Sequence, residues 1–153
     1  MLDAEHDTCG INLRSDCLVV SELCQCHLLV IRFSNHSDPN VRHAVVLVLT
    51  TEVCPAAMTW LVRMSRDTDH NARDWATFAL GALFDTDTCE IRVALLDRVA
   101  DPHDDTRGEA LVGLARRSDP RVVDWLKTEF ASDGVGSLAV EAAEAIASAK
   151  LNQ

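Results

Sequence analysis

Three groups of side chains in this 153-residue chain have the types and spacing to do chemistry. Cys24-Gln25-Cys26-His27 offers two thiolates and an imidazole, the donors of a zinc site. On a helix, positions two apart point to different faces, so both thiolates cannot close on one tetrahedral ion. The group therefore reads as structural thiols. His36, His70 and His103 recur at matching places in successive turns, where imidazoles can bind metal or sense pH. A row of turn histidines reads first as solvated surface. The third group pairs Asp67 with Arg73 and Asp101 with Arg107, each Asp six residues ahead of its Arg. Arg forms planar bidentate contacts that Lys cannot, so several arginines are expected in fixed ion pairs rather than as solvated charge. A Cys-His or Ser-His-Asp nucleophile would need partners from distant parts of the chain, and no phosphate-cradling glycine loop or dinucleotide fingerprint is visible. No catalytic residue, metal ligand or cofactor is assigned.

The elements that hold these groups follow from the recurrence. Arg73 opens an apolar run through Trp75, Ala76, Phe78, Ala79, Leu80 and Leu83, and Arg107 opens one through Ala110, Leu111 and Leu114. A weaker copy has His36 in the Asp slot, then Arg42, Val45, Val48 and Leu49. A worn copy has Asp133, with Ala139 in the Arg slot. The Arg slots are spaced 31, 34 and 32 residues apart. Self-similarity at this period marks a stack of two-helix units that bury one another's apolar faces.

Helical spacing predicts helices over about 15–33, 39–50, 55–65, 71–84, 89–99, 106–117, 120–130 and 138–149, separated by turn clusters. Thr88 is placed to cap one helix and Asp119-Pro120 to start another. Cys54, Cys89 and Pro120 share one helix-start phase. Gly81 and Gly113 sit inside helices, which points to close helix approach. Trp60 and Trp125 read as core; Arg116, Arg117 and Arg121 make the densest basic patch, with Arg116 and Arg117 read as a solvated helix C-terminus. The fold class is all-α, a right-handed α-solenoid of about four antiparallel helix pairs over residues 15–153, behind a loose or partly docked lead-in over 1–14.

Bulk properties narrow the partners. The net charge of −10 repels phosphate backbones and anionic membranes and favours basic partners. The longest apolar stretch is too short and too polar to span a bilayer. The acidic N-terminus lacks the basic start of a signal peptide, so the chain is expected in the cytoplasm, with its six cysteines reduced.

The phrases Asp-x-x-x-x-Ala-Arg (67–73) and Asp-x-x-x-x-Thr-Arg (101–107), each opening a second helix, resemble HEAT repeats. The short period looks like the bacterial HEAT-like class, also found in phycobilin lyases. The resemblance covers about residues 35–149. It implies an Asp–Arg ladder along the solenoid, in which Asp67, Asp101 and Asp133 meet Arg42, Arg73 and Arg107. It also implies that second helices line a concave side. Trp75 and Phe78 either emerge there beside Arg73, Asp74 and Thr77 or fill space between units.

The reading is a non-catalytic scaffold that binds a protein or peptide through Arg73, Asp74, Trp75, Thr77, Phe78, Arg107 and Glu109. Exposed Trp, Phe and Arg are the residue types that anchor interfaces. Kinship with bilin lyases offers a lyase-like or chromophore-handling alternative. A DNA-repair solenoid of the alkylpurine glycosylase kind would need a basic concave face, which the net charge argues against.

Overall fold

The computed structural model describes residues 29–51, 54–132 and 134–151. After a helical turn at 29–31, seven α-helices follow, and the described residues contain no strand. They are α1 (Pro39–Leu49), α2 (Pro55–Met64), α3 (His70–Phe78), α4 (Cys89–Leu96), α5 (Asp104–Arg116), α6 (Val122–Phe130) and α7 (Ser137–Leu151). The helix expected over 15–33 lies mostly outside the described residues, as do the lead-in and the Cys24-to-His27 group.

Local chemistry sets the helix starts. Asp38, Asp69 and Thr88 have extended backbone, and their side chains accept N–H groups from Asn40, Ala72 and Ile91. Cys54 does the same with its sulfur, 3.4 Å from the Ala57 nitrogen. Cys54 is thus a cap, whereas Cys89 is the first helical residue. The two are one position out of phase, and Cys54 aligns instead with Thr88 and Asp119. Regular helix begins at Val122 rather than Pro120, because Asp119 and Pro120 close a tighter turn through the Val122 and Val123 N–H groups. α5 ends on Ser118 at φ 51°, with the Asp119 N–H donating to Leu114 and the Ser118 N–H to Ala115. That is the closure of a left-handed C-cap.

The helices stack in two rows. α1, α3, α5 and α7 form one row, each packed on the next, and α2, α4 and α6 lie alongside. Short turns make the pairs antiparallel. This is an all-helical solenoid. Register explains its core. Seven residues beyond each Arg slot of α1, α3 and α5 come Leu49, Leu80 and Leu114, all fully buried. In the other row, Ala57, Ile91 and Val122 hold one buried position, and Leu61, Leu95 and Leu126 the next.

Glycine fixes the spacing of the first row. A Cβ on Gly113 would stand 2.5 Å from the Gly81 Cα, and one on Gly81 would stand 2.7 Å from the Glu109 carbonyl oxygen. Backbones of α5 and of the segment after α3 therefore touch there, as the helix-interior glycines suggested. That segment, Ala79–Leu83, is a π-helical turn in which the Phe84 N–H donates to Ala79 at 3.1 Å. Tighter packing in this row than in the other makes it the inner side of the stack.

Two expectations about bulky and basic residues are corrected here. Trp125 is 37% exposed, because no further unit covers its side of α6 among the described residues, whereas Trp60 is half-buried with the Arg63 guanidinium 4.8 Å from its ring centre. Arg117 is no solvated charge. It is nearly buried and donates to the carbonyls of Leu80, Gly81, Phe84, Thr86 and Gly113 at 2.6–3.1 Å. Leu80 and Gly81 belong to the π-turn, Phe84 and Thr86 to the segment that follows it and Gly113 to the last turn of α5, so one guanidinium ties the three together. Burial pushes its pKa down.

Candidate functional site

The inner row carries both the cohesive ladder and the exposed face, and the two divide the predicted site residues between them. Arg42 donates to Asp67 through Nε and Nη2, each at 2.8 Å, and Arg73 donates to Asp101 at 2.8 and 3.2 Å. The six-residue spacing has a geometric cause. The Nη1 atoms of Arg42, Arg73 and Arg107 donate to the backbone carbonyls of His36, Asp67 and Asp101 at 2.8–3.0 Å. Each guanidinium therefore clamps its own turn with one arm. In Arg42 and Arg73 the other nitrogens reach the carboxylate of the next unit. That carboxylate in turn accepts a turn N–H, from Asp69 at Asp67 and from His103 at Asp101. In the first copy, His36 Nδ1 accepts the Asp38 N–H at 3.1 Å. An imidazole thus takes over the turn-closing role of the missing carboxylate.

Electrostatics follow the geometry. Burial alone would raise the Asp67 and Asp101 carboxyls, but hydrogen bonds from Arg42 or Arg73 and from the turn N–H outweigh it and hold both below the ordinary value. A third carboxylate, Asp119, also bridges units, outside the ladder. Asp119 accepts from Arg121 and from Arg92, which hold its carboxyl at about 2. Arg121 is therefore paired, although its side chain, unlike that of Arg117, remains exposed.

Asp133, the expected partner of Arg107, lies outside the described residues. Among the described residues Arg107 donates to Glu129 of α6 at 3.1 Å and pairs with Asp104 at 3.0 Å. Glu129 left no trace in the repeat, since the corresponding positions of the two earlier units hold Met64 and Arg98.

What remains for a partner is the outward side of the inner row. Two positions after each Arg slot come Ala44, Trp75, Glu109 and Glu141; five positions after come Leu47, Phe78 and Glu144, and also Val112, which is buried. Trp75 is 41% exposed and Phe78 is half-buried. Their rings meet edge to face at 5.7 Å, and His43 of α1 flanks Trp75 at 6.3 Å. The first part of the face is thus aromatic and apolar. The rest is acidic. Glu109 lies among Asp74, Asp105 and Glu141, and burial, followed by those like charges, pushes its carboxyl up to about 7. Burial also raises Asp74, which the buried Thr106 hydroxyl holds at 3.2 Å.

Of the residues expected to bind a partner, Asp74, Trp75, Phe78 and Glu109 reach this face. Thr77 does not: it is fully buried, and its hydroxyl donates to the Arg73 carbonyl at 2.8 Å. Arg73 and Arg107 are committed to the ladder. His70 and His103 face each other with ring centres 5.0 Å apart, beside Asp74. Among the described residues no group of three or more His, Cys, Asp or Glu side chains could hold a metal ion, and no helix is long and apolar enough to cross a membrane.

A ladder of paired charges through stacked helix pairs defines a helical repeat protein built as a solenoid. No family model matches the chain. Over 104 residues, 68% of the chain, it is 30% identical to protein YibA of Escherichia coli K12, and equally to protein YibA of E. coli O157:H7. The chain spans 37% of the length of these relatives. The crystal structure of E. coli YibA has the same fold, with a TM-score of 0.69 over 84% of this chain and 50% of that one, at 24% identity.

Proposed function

We propose that the protein is a non-catalytic scaffold of HEAT-like repeats whose concave inner face binds a protein or peptide segment. The observation that carries this reading is the division of the face. Trp75 and Phe78, beside Leu47 and Ala44, form an apolar seat, and Asp74, Asp105, Glu109 and Glu141 follow it on the next helices. Such a face fits a segment with a bulky apolar anchor followed by Lys or Arg. A cation brought beside Glu109 draws its carboxyl back down, so binding releases protons and strengthens as pH rises through about 7. Arg73 and Arg107 act in this reading as structural supports. The same carboxylates would repel a DNA backbone, which leaves the DNA-repair reading the poorer fit. The chromophore-handling alternative is tested by absorbance titration with a free bilin.

The decisive experiment uses short synthetic peptides carrying a Phe or Leu anchor and a Lys/Arg run, each matched with a Glu-run counterpart, and reads Trp fluorescence and anisotropy. The cationic set binds in a salt-sensitive way, and Trp75→Ala weakens it at least roughly tenfold with an unchanged melting curve. Equal binding of both sets, or binding indifferent to Trp75→Ala, removes the proposal.

A further inference from the structure

Successive units repeat polar contacts as well as apolar ones, so a departure in one unit shows against the next. One position before the Asp slot stand Asn35 and then Arg66; four positions before it stand Arg63 and then Asp97. Between the second and third units these positions make an ion pair, in which Arg66 donates to Asp97 through Nε at 3.0 Å and Nη2 at 2.6 Å. Between the first and second units the same two positions hold Asn35 and Arg63. Their contact is one bond, from Arg63 Nη2 to the Asn35 side-chain oxygen at 3.3 Å. Where the register puts a carboxylate, the chain carries a cation. Arg63 has no carboxylate partner among the described residues. Its guanidinium lies over the Trp60 ring, 4.8 Å from the ring centre. Such stacking uses the face of the guanidinium and leaves the N–H edge to an acceptor.

A pocket of about 460 Å³ opens at this place, between the turns of the first two units. Its lining carries three guanidiniums, those of Arg42, Arg63 and Arg66, against one carboxylate, Asp67. In a chain of net charge −10 this is a local excess of positive charge. Arg42 and Arg66 are each committed to a carboxylate, so Arg63 is the guanidinium left to take another. Two neutral groups of the lining keep a donor. His36 accepts the Asp38 N–H at Nδ1, which leaves the proton of the neutral imidazole on Nε2. Ser34 is 6% exposed, and its hydroxyl has no hydrogen-bond partner among the described residues, whereas its counterpart Ser65 donates to the Val62 carbonyl at 2.8 Å. We propose that this pocket binds a small molecule bearing a carboxylate or phosphate group, held on Arg63 as Asp97 is held on Arg66 one unit further on. A guanidinium makes the planar two-point contact that either oxyanion accepts, and the volume suits a metabolite-sized ligand. None of the lining residues belongs to the concave peptide-binding face, so the site stands independently of that reading. The model pair sets the strength. Arg66 and Asp97 are 44% and 41% exposed, so one such contact is weak and affinity falls in roughly the millimolar range.

Amide and arginine Nε–H shifts of the whole 15N-labelled chain test this, in titrations with succinate and, separately, inorganic phosphate. Ionic strength is held constant by replacing chloride, so that screening does not change. Saturable shifts are expected at the turns 34–37 and 63–68, and the tighter of the two probes identifies the headgroup. Arg63→Gln weakens binding at least roughly tenfold. Asn35→Asp restores the missing carboxylate beside Arg63; it weakens binding by a similar factor without lowering the melting temperature. Lys127→Gln removes an exposed cation on α6 and leaves the affinity in place. Circular dichroism confirms that each variant is folded, and Arg63→Lys, which keeps the charge but loses the two-point contact, stands in for a glutamine variant that is not. Binding indifferent to both Arg63→Gln and Asn35→Asp, or unsaturable shifts spread over the other arginines, overturns the proposal. So does no binding of either anion, which is also the result if a carboxylate from residues 1–28 already sits on Arg63.

Discussion

The pairs α2–α3 and α4–α5 and the last pair, α6–α7, are built on one register yet live under different constraints. In the interior pairs, every position that faces a neighbour is closed on both sides. Leu80 and Leu114 sit between helices, Asp101 sits under Arg73 and Arg98, and Gly113 touches backbone. In the last pair, the equivalents that face the preceding unit are buried, such as Ala142, while those facing away, Ile146 and Phe130, are not. The same residue position thus carries a different energetic weight depending on whether a neighbour follows. Sequence type alone does not determine it.

Matched substitutions break or sharpen that contrast. Leu80→Asp buries an unpaired charge between three helices, which costs several kcal/mol out of the roughly 5–15 kcal/mol that hold a domain together. Thermal melting by circular dichroism should show no cooperative transition. Ile146→Asp, at the same register position, should lower stability by less, about 1–2 kcal/mol, because its side chain is only partly buried against the core. Equal effects of the two would erase the distinction between interior and end.

The ladder gives a smaller step. Asp101→Ala leaves the Arg73 guanidinium without its carboxylate in a nearly buried site and should cost about 3 kcal/mol in urea unfolding. Glu129→Ala, whose partner Arg107 keeps Asp104, should cost about 1 kcal/mol or less. The Asp101 carboxyl is depressed in the folded chain, so its contribution is present above the ordinary carboxylate value and fades as pH falls through the folded one. The difference between wild type and Asp101→Ala should therefore shrink on acidification.

The smallest step has the opposite sign. The Glu109 carboxyl is raised to about 7, so the folded chain holds a proton that the unfolded chain gives up near 4.5. Its stabilising effect is complete below that unfolded value and is lost as pH rises through about 7. Glu109→Gln should stabilise the chain by roughly 1 kcal/mol at pH 8 and leave it unchanged at pH 4. A constant offset at both values would show that the neighbouring carboxylates do not press on it.

Much of the scaffold was legible from residue spacing. The period, the seven helices and two rungs of the ladder all follow from the Asp–Arg phrase, because periodic burial and a fixed guanidinium reach leave few alternatives. The face was only half legible. Trp75 was left undecided, since a Trp three residues from a Phe fits a core or a surface equally well, and exposure depends on the neighbouring α1. Thr77 looked polar and therefore exposed, but its hydroxyl satisfies itself on the Arg73 carbonyl of its own helix, which lets it be buried. Arg117 was misread for a related reason. The basic doublet resembles an ordinary helix end, and nothing in its own segment reveals a π-turn more than thirty residues earlier whose carbonyls it meets.

The two-armed arginines also set a rule for how the chain can change length. An arginine that holds its own turn with one arm and the following turn with another does not distinguish which following turn it meets. Removing one whole period, from His70 to His103, would leave Arg42 on Asp67 and put Arg107 six residues after Asp67, where Arg73 now stands. The Arg-slot spacings of 31 and 34 show that the stretch between rungs takes up a few residues without breaking either rung. What has to be kept is the six-residue step from carboxylate to arginine, so adding whole units is the simplest route to a longer surface.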